Sequence, residues 1–366
     1  MIVGLDARKL RDGGIGSYIR GLLSCYAAAP GDDRFVAIVA PADHGRTRWP
    51  GSAVTETVAR AGKYGLLEHV VVPAAARHAG VQLLHAPHYT LPLGWSGPAV
   101  VTIHDLIHLQ FPSHYPPGAS LYARAMAGMA ARNTRLVLVD SIAARDDVIA
   151  RLHAPASKLR VVPLGVAAGL APPPRETATA WRASRGLPAD YVLYVGARKR
   201  HKNLELLIDA WGAMTATERP PLVLSGGSWR AGDPLARRAR ARGVEPAVHF
   251  SGALVGDSDL ACLYAGAMLY VQPSLAEGFG LPPLEAMACG APVLSSDAGA
   301  LPEVLNGAAR LLPPRDPEAW AAAVTTLLGD PAERGRLVAA GLARAARFTW
   351  ERCAELTRAA YAEAMS

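Results

Sequence analysis

Two carboxylates flank a glycine-bearing loop in the second half of the chain, and this arrangement could bind a phosphorylated, hydroxyl-rich ligand. Glu277 precedes the loop 278–281, GFGL, and Glu285 lies eight residues after Glu277. Prolines at 282 and 283 suit the first turn of a helix, so the loop should present backbone N–H groups at a positive helix end, as a diphosphate requires. The two carboxylates could accept hydrogen bonds from sugar hydroxyls. The alternative is an ordinary loop followed by a helical Glu.

A second anion-binding feature is the basic segment 198–202, RKRHK, which follows a strand-like segment at 191–195. Lys199 and Lys202 are two of only five lysines in the sequence. Basic residues at a helix start oppose the helix dipole at a cost of about 0.3–1 kcal/mol each, and a bound dianion would offset that cost. The segment therefore favours phosphate binding over the two alternatives, a solvated helix start and a nucleic-acid patch.

The first half of the chain places a glycine loop and a histidine where parallel strands should end. The loop 13–16, GGIG, follows the first strand and opens a helical pattern, so its backbone could approach a ligand closely. It is not the full G-x-G-x-x-G fingerprint, which argues against a dinucleotide dehydrogenase. His104 and Asp105 follow the strand-like segment 99–103. His104 and His108 have i, i+4 spacing, but without HExxH a metal site there is the weaker alternative.

Composition excludes several classes of protein. The 366 residues are 51% hydrophobic and 19% charged, which supports a sizeable core and argues against disorder. The start of the chain does not resemble a secretory signal, and no apolar run is long enough to cross a membrane. The four cysteines are widely separated, so we expect reduced thiols of a cytoplasmic protein and no zinc or disulfide framework. P-loop and α/β-hydrolase motifs are absent from the sequence.

Positive charge is concentrated in the first half. Residues 1–180 hold 18 basic and 12 acidic residues, a net of 18 − 12 = +6, whereas residues 181–366 hold 20 and 19, a net of 20 − 19 = +1. A basic first half could face an anionic membrane surface or a phosphorylated carrier, or it could be an ordinary arginine-rich surface.

Strand and helix patterns alternate along the chain and predict an α/β fold with two Rossmann-like domains facing a cleft. The candidate strands are rich in Val, Ile and Leu without strict alternation, as in parallel sheets buried on both faces; they lie at 1–6, 34–40, 81–85, 99–103, 135–139, 159–163, 191–195, 221–225, 247–251, 268–272, 292–295 and 309–312. We expect an N-terminal domain at 1–166, a proline-rich hinge or linker at 167–190, a C-terminal domain at 191–347 and a final helix at 348–366.

The sequence as a whole resembles glycosyltransferase family 4, whose fold is GT-B. The resemblance rests on the E-x7-E segment 274–304 and extends over 13–23, 100–112, 161–166, 194–211, 248–254 and 348–364. It implies that residues 1–166 bind the acceptor, that residues 191–347 bind a nucleotide sugar, and that the last helix returns to the N-terminal domain. The layout is most similar to bacterial mannosyl- and hexosyltransferases that build surface polysaccharides or glycolipids.

The resemblance also implies roles for individual residues. Glu277 would contact the transferred sugar, Glu285 the ribose, and His104 the sugar near its reacting carbon. Lys202 would neutralise the leaving phosphate. The positions where the family usually has an arginine hold Ala197 and His201 here, so Arg198 is assigned as the substitute. The implied catalytic residues are His104, Glu277, Lys202 and Arg198, and the implied donor-binding residues are Gly14, Gly16, Gly226, Gly278, Phe279, Gly280, Leu281 and Glu285.

The expected activity is therefore a retaining, metal-independent hexosyltransferase with no cofactor and mannose as the favoured sugar. The expected partners are a nucleotide-sugar donor, a saccharide, lipid-linked or small-molecule acceptor and an anionic membrane surface, with no nucleic acid. We expect a cytoplasmic protein, peripheral at the inner face of the membrane. A sugar-nucleotide epimerase of the same fold and a catalytically inactive partner subunit are the alternatives.

Overall fold

The computed structural model describes residues 1–29, 31–46, 49, 51, 53–225, 228–230, 232–252, 254 and 256–366. The chain divides into two compact units. The first comprises Met1–Gly165 together with Phe348–Ser366, and the second comprises Val166–Arg347. Each unit is built on its own parallel sheet, so the predicted α/β class with two Rossmann-like domains is confirmed.

The described residues of the first unit form a seven-stranded parallel sheet in the order β3-β2-β1-β4-β5-β6-β7. Most of its strand residues are Val, Leu, Ile or Ala and are fully buried, as expected for a sheet covered on both faces. The strands are β1 (Ile2–Asp6), β2 (Arg34–Val39), β3 (Val54–Val58), β4 (Leu83–Ala86), β5 (Ala99–Thr102), β6 (Leu136–Val139) and β7 (Leu159–Val161).

Helices follow most of these strands and cover the sheet. They are α1 (Gly13–Ala28), α2 (Glu68–His78), α3 (Ile107–Gln110), α4 (Ala119–Asn133) and α5 (Ile142–Leu152). The sequence patterns did not predict β3. Its sequence, VTETV, is half polar because it pairs on one side only, at the edge of the sheet.

The described residues of the second unit form a six-stranded parallel sheet in the order β10-β9-β8-β11-β12-β13. The strands are β8 (Val192–Val195), β9 (Leu222–Ser225), β10 (Val248–Phe250), β11 (Leu269–Gln272), β12 (Val293–Ser296) and β13 (Arg310–Leu312). Both ends of each of these strands lie within one residue of the ends of a predicted strand. Chain order reverses between β8 and β11, as it does between β1 and β4 in the first sheet.

The helices of the second unit include one inside the segment 167–190, which the sequence led us to expect as a hinge or linker. This helix, α6, packs against α9 within the same unit. The helices are α6 (Arg175–Ser184), α7 (Leu204–Ala213), α8 (Pro234–Ala241), α9 (Asp257–Ala265), α10 (Leu281–Ala288), α11 (Leu301–Leu305), α12 (Pro317–Gly329) and α13 (Pro331–Ala345).

The last helix, α14 (Trp350–Met365), belongs to the first unit and packs on α1. Thr349 caps it, because its side chain accepts a hydrogen bond from the Arg352 N–H. The crossing is so close that a Cβ at Gly21 of α1 would lie 2.2 Å from the Trp350 ring. Glycine at 21 therefore allows α14 to cover the core of the first unit.

Candidate functional site

The point where strand order reverses in the second sheet brings two predicted site residues together. Loops that leave β8 and β11 diverge there, which opens the crevice where α/β sheets bind ligands. Lys202 lies on a 3₁₀ turn, Arg200–Lys202, after β8. Glu277 lies in the loop after β11. The two residues are 75 positions apart in sequence and hydrogen-bonded in the structure.

Lys202 and Glu277 form a buried ion pair. The Lys202 Nζ lies 2.7 Å from Oε1 and 2.9 Å from Oε2 of Glu277, and the two side chains are only 15% and 8% exposed. Gln272 and Ser274 also donate to Oε1 of Glu277, at 2.8 and 2.7 Å. Burial disfavours the charge of Glu277, but the Lys202 ammonium and the Ser274 hydroxyl hold the pKa of the carboxyl below its ordinary value. Glu277 is therefore an ionised acceptor in a fixed position.

Hydrogen bonds between the loops hold this pair in place. The amide of Asn203 donates to the carbonyl of Pro273 at 3.0 Å, and the N–H of Leu275 donates to the carbonyl of His201 at 2.8 Å. Asn203 adopts the left-handed conformation, with φ of 58°, which ends the turn and starts α7. The Lys202 turn is consequently fixed against the loop that carries Glu277.

The loop 278–281 leads directly into α10, as predicted. Gly280 is the N-cap residue of α10 and has a φ of 102°. A Cβ at Gly280 would lie 2.7 Å from the Leu301 side chain. The neighbouring Gly299 is similarly constrained, because a Cβ there would lie 2.5 Å from the Glu277 carbonyl oxygen. The backbone of this loop is thus packed tightly around Glu277, with the helix start of α10 directly after it. Phe279 is buried beneath the loop.

Glu285, the second carboxylate of the E-x7-E pattern, lies in a different environment from Glu277. It accepts one hydrogen bond, from the Tyr264 hydroxyl at 3.0 Å, and among the described residues it has no ion pair within 4 Å. Burial raises the pKa of Glu285 to about 7, against the smaller opposing effect of the Tyr264 hydrogen bond. The two carboxylates therefore have opposite pKa shifts, which separates their chemistry.

Arg198 has partners other than the ion pair. Its guanidinium donates to the Ser228 carbonyl at 2.8 Å and pairs with Asp233, the N-cap of α8. Its Cζ also lies 5.7 Å from the centre of the Trp229 ring. Arg198 thus holds the start of α8, whereas Lys202 holds Glu277. Gly226, which the sequence assigned to donor binding, lies outside the described residues.

In the first unit His104 follows β5, as predicted, and pairs with an aspartate that follows β6. The His104 Nδ1 lies 2.7 Å from Oδ2 of Asp140, which is 2% exposed. Burial disfavours the imidazolium, but the Asp140 charge and hydrogen bond raise the pKa of His104 above its ordinary value. The bond to Asp140 makes Nδ1 the donor and fixes the orientation of the ring. Asp105 instead accepts from the Ile107 N–H, at the start of α3.

A chain of buried polar groups runs from α14 to the His104 ring. Nδ1 of His85 lies 2.6 Å from the Tyr361 hydroxyl and its Nε2 lies 2.8 Å from the Thr102 hydroxyl. The Thr102 hydroxyl lies 3.1 Å from that of Tyr18, whose ring packs edge-on against His104 at 5.0 Å. Burial lowers the pKa of His85 to about 3, so this histidine is neutral and relays hydrogen bonds without carrying charge.

Gly14 and Gly16, in the glycine loop of the first unit, have different surroundings. A Cβ at Gly16 would lie 2.4 Å from the carbonyl oxygen of Leu10, so Gly16 permits the chain to fold back on itself. Gly14 is exposed, and a Cβ there would meet nothing within 4 Å. Gly16 is therefore explained by packing, and Gly14 leaves backbone accessible to a ligand.

Neither a cluster of metal ligands nor a membrane-spanning helix is found among the described residues. No group of three or more His, Cys, Asp or Glu side chains there is arranged to hold a metal ion. None of the helices formed by those residues is both long enough and apolar enough to cross a membrane.

Sequence reasoning missed several residues that support the site. Asp140, Gln272, Ser274 and Tyr264 were not singled out, although the first three lie in a β-strand or within two residues of its end. Asp140 follows the apolar run LVLV of β6, next to β5 in the sheet. One signal could have found Asp140. It is a polar residue directly after a buried strand, and the neighbouring strand in the sheet leads to a candidate catalytic residue.

Comparison with protein-family models gives two matches that together span most of the chain. Residues 13–169 match a model described as Glycosyltransferase Family 4. Residues 189–330 match a model described as Glycosyl transferases group 1.

Curated relatives include enzymes with different acceptors. The chain is 33% identical over 282 residues to the O-antigen chain mannosyltransferase B of Escherichia coli, an alignment that covers 76% of this chain and 74% of the relative. It is 34% identical over 251 residues to a D-inositol 3-phosphate glycosyltransferase of Kineococcus radiotolerans, covering 63% of this chain and 57% of that one.

Solved structures share the fold over the full length. A sucrose-phosphate synthase from Thermosynechococcus elongatus has a TM-score of 0.82 at 24% identity, with 100% of this chain and 99% of the other covered. HepE of Anabaena, solved in complex with UDP-glucose, has a TM-score of 0.78 at 20% identity, with 99% of each chain covered.

Proposed function

The chain belongs to glycosyltransferase family 4, with the two Rossmann-like domains of the GT-B fold, and we propose that it transfers a hexose from a nucleotide-diphosphate sugar with retention of configuration. Mannose is the favoured sugar because the relative with the longest coverage described above is a mannosyltransferase. The acceptor is a saccharide, free or lipid-linked. The observation that carries the proposal is the Lys202–Glu277 pair at the strand-order reversal, directly before the start of α10.

In the proposed reaction the bond between C1 of the sugar and the β-phosphate oxygen breaks, and negative charge develops on the diphosphate. Lys202 and the backbone N–H groups around 278–281 stabilise that charge. Glu277, ionised and fixed by its three donors, accepts hydrogen bonds from hydroxyls of the transferred sugar. Glu285 accepts hydrogen bonds from the ribose. Gly14, which is exposed, contributes backbone on the donor side, and Gly16 allows the tight fold of that loop.

His104 is assigned to the catalytic centre because it follows β5 and its ring is oriented by Asp140. The acceptor hydroxyl attacks C1 from the face that the phosphate leaves, and a phosphate oxygen takes the hydroxyl proton. The new bond therefore keeps the configuration of the donor. No metal ion enters this scheme. Arg198 has the weakest support, since its guanidinium already binds Asp233.

The test is release of nucleoside diphosphate from GDP-mannose, UDP-glucose and UDP-N-acetylglucosamine with saccharide acceptors present. Lys202→Ala and Glu277→Ala should each abolish most of the release, and EDTA should leave it unchanged. NMR of the product reports its anomeric configuration. Full activity in both variants, or inversion at C1, would contradict the proposal.

The sugar-nucleotide epimerase is not favoured by the comparisons, and the E-x7-E pattern also argues against it. NMR of each donor incubated without acceptor separates the two activities, because an epimerase converts the donor alone. Absence of donor binding by calorimetry would instead favour the inactive partner subunit.

Peripheral binding to an anionic membrane is part of the proposal. Leu66, Leu67 and Val70, around the start of α2, are 88%, 66% and 67% exposed, an unusual apolar patch for a surface helix. Residues 60–80 hold three basic residues and a single acidic one, the buried Glu68. Sedimentation with phosphatidylglycerol vesicles, compared with phosphatidylcholine vesicles, tests this, and Leu66→Ser with Leu67→Ser should weaken it.

A further inference from the structure

Aromatic and imidazole rings form a partly exposed surface at the carboxyl edge of the first sheet. His88 and Tyr89 follow β4, and His108 lies on α3 after β5. The ring centres of His88 and Tyr89 are 3.8 Å apart, and those of Tyr89 and His108 are 5.0 Å apart. We call this set the ring cluster; it consists of Tyr64, His88, Tyr89, His108 and Tyr115.

The ring cluster offers both ring faces and hydrogen-bonding groups. Tyr64 is 46% exposed, and His88 and Tyr89 are half-buried. The Lys9 Nζ donates to the Tyr64 hydroxyl at 2.7 Å, and that hydroxyl lies 3.3 Å from Nε2 of His88. If Tyr64 donates in turn to Nε2, the neutral ring of His88 carries its proton on Nδ1, which has no partner in the described structure. Nε2 of His108 is also unpartnered.

Unpartnered ring nitrogens in such a position indicate a ligand. A buried donor or acceptor without a hydrogen bond is costly, and few occur in folded proteins. Both nitrogens are shielded from solvent, so the two rings must turn slightly for hydroxyl groups of a bound molecule to supply both partners.

Charge around the ring cluster is balanced or negative. Arg8 donates to Asp6 at 2.9 and 2.7 Å and to Glu68 at 3.0 Å, so its guanidinium is committed to two carboxylates. Lys63 pairs with Asp12 at 2.5 Å. These pairs leave the surface without the excess positive charge that a phosphate group needs.

The protonation states of the two histidines and of Lys9, together with the Asp105 carboxylate, also disfavour an anion at the ring cluster. Burial lowers the pKa values of both His88 and His108, so both rings are neutral at pH 7. Burial lowers the pKa of Lys9 to about 7, so its positive charge is incomplete at that pH. The Asp105 carboxylate is close enough to raise the pKa values of Tyr89 and Tyr115, after the larger effect of burial. An anion would therefore meet neutral rings and a nearby carboxylate.

We propose that the ring cluster and Lys9 bind the acceptor, and that they select an uncharged saccharide over a phosphorylated one. The apolar face of a sugar ring packs on Tyr64 and Tyr89, while its hydroxyls bond to Lys9, Nδ1 of His88 and Nε2 of His108. This inference rests on the proposed function, because it takes the saccharide to be the acceptor of that transfer. For a lipid-linked acceptor, the sugar at the ring cluster is an uncharged residue of its glycan.

The experiment compares methyl α-mannopyranoside and mannobiose with mannose 6-phosphate and inositol 1-phosphate as acceptors for the full chain. We expect the uncharged compounds to have the higher kcat/KM and an acceptor KM that is insensitive to salt. Tyr64→Ala and Tyr89→Ala should raise the acceptor KM by about tenfold, well above any change in donor KM. Tyr64→Phe and Tyr89→Phe both keep the ring. Of the two, Tyr89→Phe should recover most of the loss in acceptor KM seen with its alanine variant. Leu121→Ala, an exposed substitution on α4, should change neither KM.

Saturation-transfer NMR of the same acceptors, without donor, keeps the inference testable if a variant folds poorly. Preference for either phosphorylated compound, or an unchanged acceptor KM in both alanine variants, would overturn it. Failure of the proposed function gives a different result, namely that no nucleotide sugar is bound or turned over by the wild type, whatever acceptor is present.

Discussion

The two sheets share one strand order, yet the residues at the carboxyl ends of their strands differ in chemical character. In the second unit Lys202 and Glu277 meet as a buried ion pair, beside a helix start. In the first unit the residues that follow β4 and β5 include His88, Tyr89 and His104, and the nearby cations are closely paired with carboxylates. The same topology therefore presents a lysine–glutamate pair in one unit and mainly histidine and tyrosine rings in the other.

This difference shows how one fold can serve two ligand chemistries. The strand order fixes where side chains converge, because loops diverge at the reversal point in both sheets. The residue types then decide what can bind there. A fixed, partly buried charge such as the Lys202 ammonium suits the developing charge of a diphosphate, whereas ring faces and single hydrogen-bonding nitrogens suit a polyhydroxy ring.

Breaking the ion pair should have the largest effect. Lys202→Ala removes the cation that we propose stabilises the leaving diphosphate, and we expect kcat/KM to fall about 10²–10³-fold. It also leaves Glu277 buried without a counter-charge, which should lower the free energy of unfolding by about 3–5 kcal/mol. Initial rates of nucleotide release and urea unfolding measure the two quantities.

The double variant Lys202→Met, Glu277→Gln separates stability from activity. It has no uncompensated charge, so its free energy of unfolding should return to within about 1 kcal/mol of the wild type, while activity stays low. Recovery of activity together with stability would mean that neither charge takes part in transfer and that the loss in Lys202→Ala was structural.

The matching perturbation in the first unit is Asp140→Asn. An amide cannot replace the carboxylate that orients the His104 ring and raises its pKa, so we expect kcat to fall roughly tenfold to hundredfold. NMR titration should show a lower His104 pKa in the variant. An unchanged His104 pKa would contradict the role assigned to Asp140.

The stability change of Asp140→Asn should depend on pH in a defined direction. The folded-state pKa of His104 is raised above its unfolded value of about 6.5, so the pair stabilises the fold most fully below that pH. The contribution is lost as pH rises through the folded-state pKa. The difference in unfolding free energy between wild type and variant should therefore shrink from acidic to alkaline pH.

These residues also show what the sequence could and could not reveal. Strand ends and helix starts follow from apolar runs, glycines and prolines, so Glu277, Lys202 and His104 were placed at strand ends without the structure. Their partners depend on which strands are neighbours, since Lys202 meets Glu277 across 75 residues. Asp140 has no local motif, and β3 is too polar to read as a buried strand. The long-range hydrogen bonds of Arg198 also leave no trace in the sequence.

A smaller effect should distinguish the two carboxylates of the second unit. Burial holds the pKa of Glu285 near 7, above its unfolded value, so between roughly pH 4.5 and 7 the folded protein binds a proton that the unfolded chain has released. The contribution of Glu285 to the free energy of unfolding is complete at acidic pH. It declines by about 3 kcal/mol as pH rises through 7. Glu285→Gln should remove that decline.

Donor binding should show the reverse dependence on the same group. In the proposed donor complex the ribose hydroxyls donate to the ionised carboxylate, so the Kd of UDP-glucose or GDP-mannose should fall as pH rises from 6 to 8 in the wild type and stay constant in Glu285→Gln. Calorimetry with intact nucleotide sugars avoids the terminal phosphate of a free nucleotide, which titrates in this range. A parallel change in both proteins would show that Glu285 does not contact the donor.

The smallest expected effect tests whether α14 influences His104 through the buried polar chain. Tyr361→Phe removes the hydroxyl bonded to His85 Nδ1 and should lower the free energy of unfolding by about 1–2 kcal/mol. If the chain positions His104, kcat should also fall a few-fold with donor KM unchanged. Tyr191→Phe in the second unit is the matched control, because it removes an equally buried hydroxyl, bonded to the Leu263 carbonyl at 2.6 Å. It should cost similar stability without changing kcat, and equal kcat values in the two variants would confine Tyr361 to a structural role.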